Sequence, residues 1–231
     1  MTFSINHDLV AVVARDLPEA WYLCVKGIMD HGYEYLITMG SHEGSKRKEF
    51  DSVVIEILYP GSKPMVPDVP EGVPPPCSME YIESYLPYLI CGGKLKDEQY
   101  TYGMDIEKQL PRFIKILREF GEGTNQACMS VGNAESIFLA DPQCLRIIDA
   151  RIRNNKLCFH VYFRSWDLWA GFPANLAAIQ ILKEYVGSEV GFEDGPLFAY
   201  SKGLHLYSHH WDLANMILRR EDVKLKIQQP K

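Results

Sequence analysis

The residue pattern predicts a mixed α/β domain, and three observations carry that expectation. Ile106, Leu110, Phe113, Ile114 and Leu117 recur at helical spacing inside Asp105 to Phe120. Three alternating, β-rich runs follow between Gln126 and Ser165. A mostly apolar helical run, Ala174 to Val186, then precedes one more strand. The 231 residues carry no internal repeat, low-complexity tract or linker, and read as a single domain over residues 1–231.

In order, Asp16-Leu17-Pro18-Glu19 starts a helix: Asp16 caps, Pro18 suits the first turn, and the helix runs to about His31 before Gly32. Ser41 to Lys48 reads as a polar, basic loop ending in Lys46-Arg47-Lys48. Asp51 to Leu58 is a strand closed by Pro60-Gly61, and Val66 to Pro76 an extended proline-rich connection. Met79 to Ile90 is helical, with Pro87 expected to disturb its second half. Gly121 stops the helix that begins at Asp105. Gln126 to Val131, Leu145 to Arg153 and Leu157 to Ser165 are strands, the last two joined at Asn154-Asn155 by a tight turn. On the last of these, Leu157, Phe159, Val161 and Phe163 share one face; Cys158, His160, Tyr162 and Arg164 share the other. Ala174 to Val186 places Asn175 in a helical first turn, Phe198 to Tyr207 is a final strand, and Trp211 to Arg219 a closing helix.

A formal charge of -6 argues against a broad basic surface for nucleic acid, while leaving room for a pocket that binds one phosphate. No apolar run reaches the ~18–20 residues of a membrane span. The N-terminus lacks the cationic and apolar segments of a secretion signal, and the six cysteines show no paired spacing. The expectation is a reduced, cytoplasmic protein without nucleic-acid or membrane partners. No zinc-spaced Cys/His cluster or nicotinamide fingerprint is visible, so no metal is expected.

Taken singly, Cys144 reads as a buried thiol, Arg164 as a surface ion-pair residue and Asn175 as an exposed first-turn residue. Their order changes that. Asp-Pro-Gln-Cys (141–144) precedes Tyr-Phe-Arg-Ser-Trp-Asp-Leu-Trp (162–169), Gly-Phe-Pro-Ala-Asn (171–175) and His-Leu-Tyr-Ser-His-His (205–210). Together they supply a thiol nucleophile, an anion clamp, an amide that reads a heterocycle edge, and two groups suited to a sugar hydroxyl.

This order and its spacing resemble thymidylate synthase, with its Pro-x-Cys, Arg-Ser-x-Asp, Gly-x-Pro-x-Asn and His-x-Tyr motifs. The wording of the motifs is most similar to compact archaeal-type members. The resemblance implies a large mixed sheet flanked by helices, with two sheets packed back to back in a homodimer. It implies dUMP and a reduced pterin as small-molecule partners, and reductive methylation to dTMP. 5,10-Methylenetetrahydrofolate or methylene-tetrahydromethanopterin would be the co-substrate.

By that resemblance Cys144 is the nucleophile that adds to pyrimidine C6, and Arg164 and Ser165 bind the phosphate. Asn175 reads uracil N3–H and O4, His205 and Tyr207 hold the deoxyribose 3′-hydroxyl, and Asp167 holds the pterin. Arg47 is the loop arginine that closes on phosphate, and Tyr102 lies in the family's Tyr-Gly step. Glu83 is the carboxylate expected near O4, with Glu80 the other choice one turn away. The chain departs from the family pattern in five places. Asn125-Gln126 stands where two adjacent arginines are usual, Leu145 follows the nucleophile, Gly203-Leu204 replaces an acidic step before the His-x-Tyr pair, the tryptophan-bearing insertion is missing, and Gln228 to Lys231 is unlike the family's closing residues. Two other readings share the residues: a dUMP, dCMP or CMP hydroxymethylase on the same scaffold, and a catalytically silent nucleotide-binding relative.

Overall fold

The structure, a computed structural model, describes residues 3–6, 9–39, 42–94, 96 and 99–219; Gln228 to Lys231 lie outside them. In chain order the elements are strands β1 (Phe3–Asn6) and β2 (Leu9–Ala14), helix α1 (Leu17–His31), and strands β3 (Tyr33–Leu36), β4 (Lys46–Phe50) and β5 (Val53–Ile57). Helices α2 (Met79–Ile90) and α3 (Gly103–Phe120) follow, then strands β6 (Cys128–Ser130), β7 (Leu145–Arg153), β8 (Lys156–Phe163) and β9 (Trp166–Asp167). Helix α4 (Gly171–Val190), strands β10 (Glu193–Ser201) and β11 (Leu204–Tyr207) and helix α5 (Trp211–Ile217) complete them.

Two sheets result. The larger has seven strands in the order β1-β2-β5-β10-β8-β7-β6; the smaller has four, in the order β3-β4-β11-β9. The larger is mixed, because β2 pairs β5 and β8 pairs β10 in parallel while the other neighbours are antiparallel. The architecture is thus α/β, a large mixed sheet with helices against it.

Capping and periodicity account for the helices. Asp16 accepts from the Glu19 amide at 3.0 Å and starts α1 where expected. Ser78 likewise accepts from the Tyr81 amide at 3.2 Å. The expected disturbance at Pro87 does not occur: α2 runs through it to Ile90, and the Cys91 amide donates to the Pro87 carbonyl at 2.8 Å. The carbonyl that loses its donor belongs to Glu83, an exposed residue where water can take the place of the amide. Burial of Ile82 and Leu89 holds the turn closed.

Helix α4 begins at Gly171, three residues before the expected start. The cause is Asp167, whose carboxylate accepts from the amides of Trp169, Ala170 and Gly171 at 3.2, 3.0 and 3.0 Å. Asn175 consequently sits beyond the first turn. The expected strand from Phe198 to Tyr207 is two strands in different sheets. Gly203, at φ 135, lets the chain turn from β10 into β11. Lys46 to Lys48, expected in a loop, begin β4.

The hairpin of β7 and β8 forms as predicted, with Asn154 and Asn155 at φ 50 and 62 in the left-handed region its turn requires. Leu157, Phe159, Val161 and Phe163 are buried, and Phe113 of α3 meets Phe159 edge to face at 5.8 Å. That face therefore belongs to the subunit's own core. The opposite face carries His160, stacked on Phe198 at 4.5 Å, together with exposed Ile147.

Candidate active site

The hairpin register creates the centre of the site. Cys144 immediately precedes β7 and Arg164 immediately follows β8. The register shifts by one residue between Leu145 and Ile147, so Leu145 faces Phe163. The shift brings Cys144 opposite Arg164, whose amide donates to the Cys144 carbonyl at 2.8 Å. The Arg164 guanidinium then wraps the loop before the cysteine. Nε donates to the carbonyls of Pro142 and Gln143, both at 3.2 Å, and Nη2 to the Pro142 carbonyl and, at 3.0 Å, to Asp141. One side chain holds the nucleophile loop in place and puts its charge beside the sulfur.

The small sheet supplies the opposite wall. In its register Tyr207 of β11 faces Arg47 of β4, while His205 faces Glu49 of β4 on one side and Asp167 of β9 on the other. These pairings bring Arg47, Asp167, His205 and Tyr207 to one cavity of about 490 Å³, which Cys144, Arg164, Ser165, Asp141 and His42 also line. Arg47 is braced by Glu49 at 3.0 Å and by the Tyr35 hydroxyl. Although Arg164 was expected on the face shared with His160 and Tyr162, those two line a different cavity. The chain has left β8 before Arg164.

The cavity's electrostatics favour a waiting thiol and a neutral imidazole. Burial pushes the Cys144 thiol up from its ordinary value; the Arg164 charge works against that shift, and Asp141 adds to it. His205 is 3% exposed, and burial depresses its pKa to about 4, helped by the Arg47 charge and opposed by the Gly203 hydrogen bond. Its Nδ1 lies 2.9 Å from the Gly203 carbonyl, which can only accept, so Nδ1 carries the proton. Nε2 is then an acceptor, buried and without a hydrogen-bond partner among the described residues. A ligand hydroxyl is a group that would satisfy it.

Asn175 and Tyr102 line a second cavity, of about 680 Å³, with Tyr81, Tyr85 and Tyr88 of α2. Gly103 lies against the backbone of Cys91 with no room for a Cβ, which fixes Tyr102 beside Tyr88 at 5.4 Å. The Tyr102 hydroxyl accepts from the amide of Leu145, next to the cysteine, at 3.5 Å. Tyr102 therefore ties the wall of the aromatic cavity to the nucleophile loop. Asn175 donates through Nδ2 to the Tyr85 hydroxyl at 2.7 Å and accepts at Oδ1 from Trp166 Nε1 at 3.0 Å.

Glu83 is not brought to either cavity. It is exposed, and two positions from Tyr85 on a helix puts it on the opposite side of α2. Glu80 is exposed as well, its carboxyl held low by its own backbone amide and Ser78. Sequence reasoning passed over Tyr85, Trp166, Asp141 and His42. Tyr81, Tyr85 and Tyr88 do recur at helical spacing, a signal obscured by Pro87. His42 has no local signal and reaches Tyr207 through tertiary packing, its ring 4.2 Å away. Among the described residues no group of three His, Cys, Asp or Glu side chains is arranged to hold a metal ion, and no helix is long and apolar enough to cross a membrane.

Comparison with known proteins adds to this geometry. A family model described as thymidylate synthase matches residues 100–231. The chain is 28% identical over 212 residues to a Methanosarcina mazei protein named "Putative thymidylate synthase", covering 89% of this chain and 93% of that one. It is 29% identical over 224 residues to a protein of the same name from Methanococcoides burtonii, covering 93% and 99%. In fold it is similar to the thermostable thymidylate synthase A from Bacillus subtilis, with a TM-score of 0.69 at 16% identity over 89% of this chain and 85% of that one.

Proposed function

The chain belongs to the thymidylate synthase family, and from that premise we propose that it converts dUMP to dTMP by reductive methylation. The co-substrate is 5,10-methylenetetrahydrofolate or its methanopterin analogue, and residues 1–231 act as one catalytic domain. The observation that carries this reading is the single cavity lined by Cys144, Arg164, Ser165, Asp167, His205, Tyr207 and Arg47.

In this proposal Arg164, Ser165 and Arg47 bind the phosphate, the arginines by charge-assisted hydrogen bonds. His205 Nε2 accepts from the sugar 3′-hydroxyl, and Tyr207 makes the second contact. The Cys144 thiolate then bonds to C6 of the base. The C5=C6 electron pair moves onto C5 and O4, and C5 becomes the nucleophile. Burial makes the thiol reluctant to ionise, and Arg164 opposes that reluctance beside the sulfur. Asn175 holds the uracil edge, so that the developing charge on O4 meets an N–H donor. The co-substrate supplies the carbon and the hydride that reduces it. As the methylene carbon bonds to C5, its bond to one pterin nitrogen breaks. Loss of the C5 proton expels the second nitrogen and leaves an exocyclic methylene. Hydride from the reduced pterin then adds to that carbon as the Cys144 sulfur departs and the ring double bond returns. The cavity of about 680 Å³ beside Asn175, walled by the stacked rings of Tyr81, Tyr85 and Tyr88, would take the pterin, and Asp167, which lines the neighbouring nucleotide cavity, would meet it from that side.

The proposal includes a cytoplasmic homodimer joined through the open face of the seven-stranded sheet, where Ile147 is exposed and His160 stacks on Phe198. Product analysis tests the reaction. Incubation with dUMP and each methylene-pterin donor should give dTMP and the oxidised pterin. Hydroxymethyl-dUMP without oxidised pterin would replace the synthase reading with a hydroxymethylase.

A further inference from the structure

A carboxamide has two ends of nearly equal shape and opposite hydrogen-bonding character, so what Asn175 reads depends on which end faces where. An indole N–H donates and never accepts. The Asn175 atom 3.0 Å from Trp166 Nε1 is therefore the oxygen. Nδ2 then points to Tyr85 and donates to its hydroxyl oxygen at 2.7 Å. Tyr85 does not break the tie, since a hydroxyl accepts or donates with equal ease. Trp166 does break it. Its ring is 2% exposed and sits between Phe163, stacked at 4.0 Å and 4°, and Phe172 at 4.6 Å, so its N–H has no freedom to turn away.

We infer that Trp166 is a positioning residue that fixes the Asn175 amide in one orientation and thereby makes the site select a uracil edge over a cytosine edge. The inference rests on the role given to Asn175 in the proposed function. With both ends anchored, the amide keeps one oxygen lone pair and one N–H, which match uracil N3–H and O4. Cytosine presents an acceptor at N3 and a donor at its exocyclic amine, and would need the amide reversed. Reversal sets an N–H against the Trp166 N–H and leaves a buried donor without an acceptor. That penalty corresponds to about 5- to 150-fold in preference.

Calorimetric binding of dUMP and of dCMP to wild type, Trp166→Phe and Tyr85→Phe tests this. Wild type should prefer dUMP. Trp166→Phe keeps a ring in the stack but removes the donor, and its dUMP-to-dCMP affinity ratio should fall by about tenfold or more. Each ratio is measured on one preparation, so a partly folded fraction cancels. Tyr85→Phe leaves the orienting donor in place and should keep the ratio within about threefold. An unchanged ratio in Trp166→Phe overturns the inference. Loss of preference in Tyr85→Phe also overturns it, and can be read even where Trp166→Phe does not fold. Wild type that binds neither nucleotide would remove the proposed function itself. Wild type that prefers dUMP, with Trp166→Phe unchanged, would remove only the part given to Trp166.

Discussion

Changing Lys183 to methionine and, separately, Asp194 to asparagine should have very unequal effects on the helix that carries Asn175. The Lys183 side chain is 0% exposed, donates to the Gly195 carbonyl, and lies 3.2 Å from Asp194, which is 36% exposed. Asp194 also accepts from Gln180 Nε2 at 3.1 and 3.0 Å. Burial lowers the Lys183 pKa, against the attraction of Asp194. Lys183→Met removes the cost of burying the ammonium together with the attraction, and leaves Asp194 with Gln180 and water. The net change should stay within about 1 kcal/mol and can be favourable. Asp194→Asn leaves a buried charge with little compensation. Breaking a fully buried pair costs about 3–5 kcal/mol. Because water already reaches Asp194, about 2–3 kcal/mol is expected, or roughly 5–10 °C in melting temperature for a chain of this size. Thermal melts followed by circular dichroism measure both variants. The sign with pH is also fixed: a lysine depressed in the folded state makes the wild type gain stability as pH rises from that lowered value towards the unfolded ~10.4. Lys183→Met should lose that slope. Equal destabilisation by the two variants would refute the reasoning.

Three further outcomes are expected. Alkylation of the half-buried Cys144 by iodoacetamide, followed by peptide mass spectrometry because Cys91 and Cys128 are exposed, should quicken with pH through pH 9 without a plateau, since burial holds the thiol up. A plateau below pH 8 would contradict this. Asp141→Asn should speed that alkylation at pH 8 by about two- to fivefold, because it removes the charge that raises the thiol and frees Arg164 from its 3.0 Å partner; slower alkylation would count against the assignment. For His205, depressed to about 4, the unfolded chain binds the proton first. The His205 contribution to stability should therefore be flat above about pH 6.5 and fall by about 1.4 kcal/mol per pH unit towards pH 4, with His210, also depressed to about 4, adding to the fall. His205→Gln should reduce that slope in urea titrations, and an identical slope in the variant would assign the effect elsewhere.

The parts of the site visible in the sequence are those built by local pairing. The β7–β8 hairpin is written in two alternating runs and an Asn-Asn turn, and its register delivers Cys144 to Arg164. The small sheet is hidden for an equally physical reason. β4 is Lys-Arg-Lys-Glu-Phe and β9 only two residues long, so neither shows alternation, and their pairing with β11 is decided by tertiary packing. Helix α4 starts earlier than its periodicity predicts because Asp167 caps it from within β9, across a bend that periodicity does not register. The same bend lets Trp166 reach Asn175, a contact no spacing rule supplies. The sequence of α2 offers Glu80 and Glu83 as carboxylates, whereas the helix turns Tyr81, Tyr85 and Tyr88 to the cavity and both glutamates to water.

The central claim is that Cys144 attacks the pyrimidine ring of a nucleotide held by Arg164. It is tested most directly by release of tritium from C5-labelled dUMP in the presence of a methylene-pterin donor. Wild type should release tritium in step with dTMP formation, and Cys144→Ala should release none while still binding dUMP. Release that persists in Cys144→Ala, or a wild type that binds dUMP and never exchanges its C5 proton with either donor, would contradict the account.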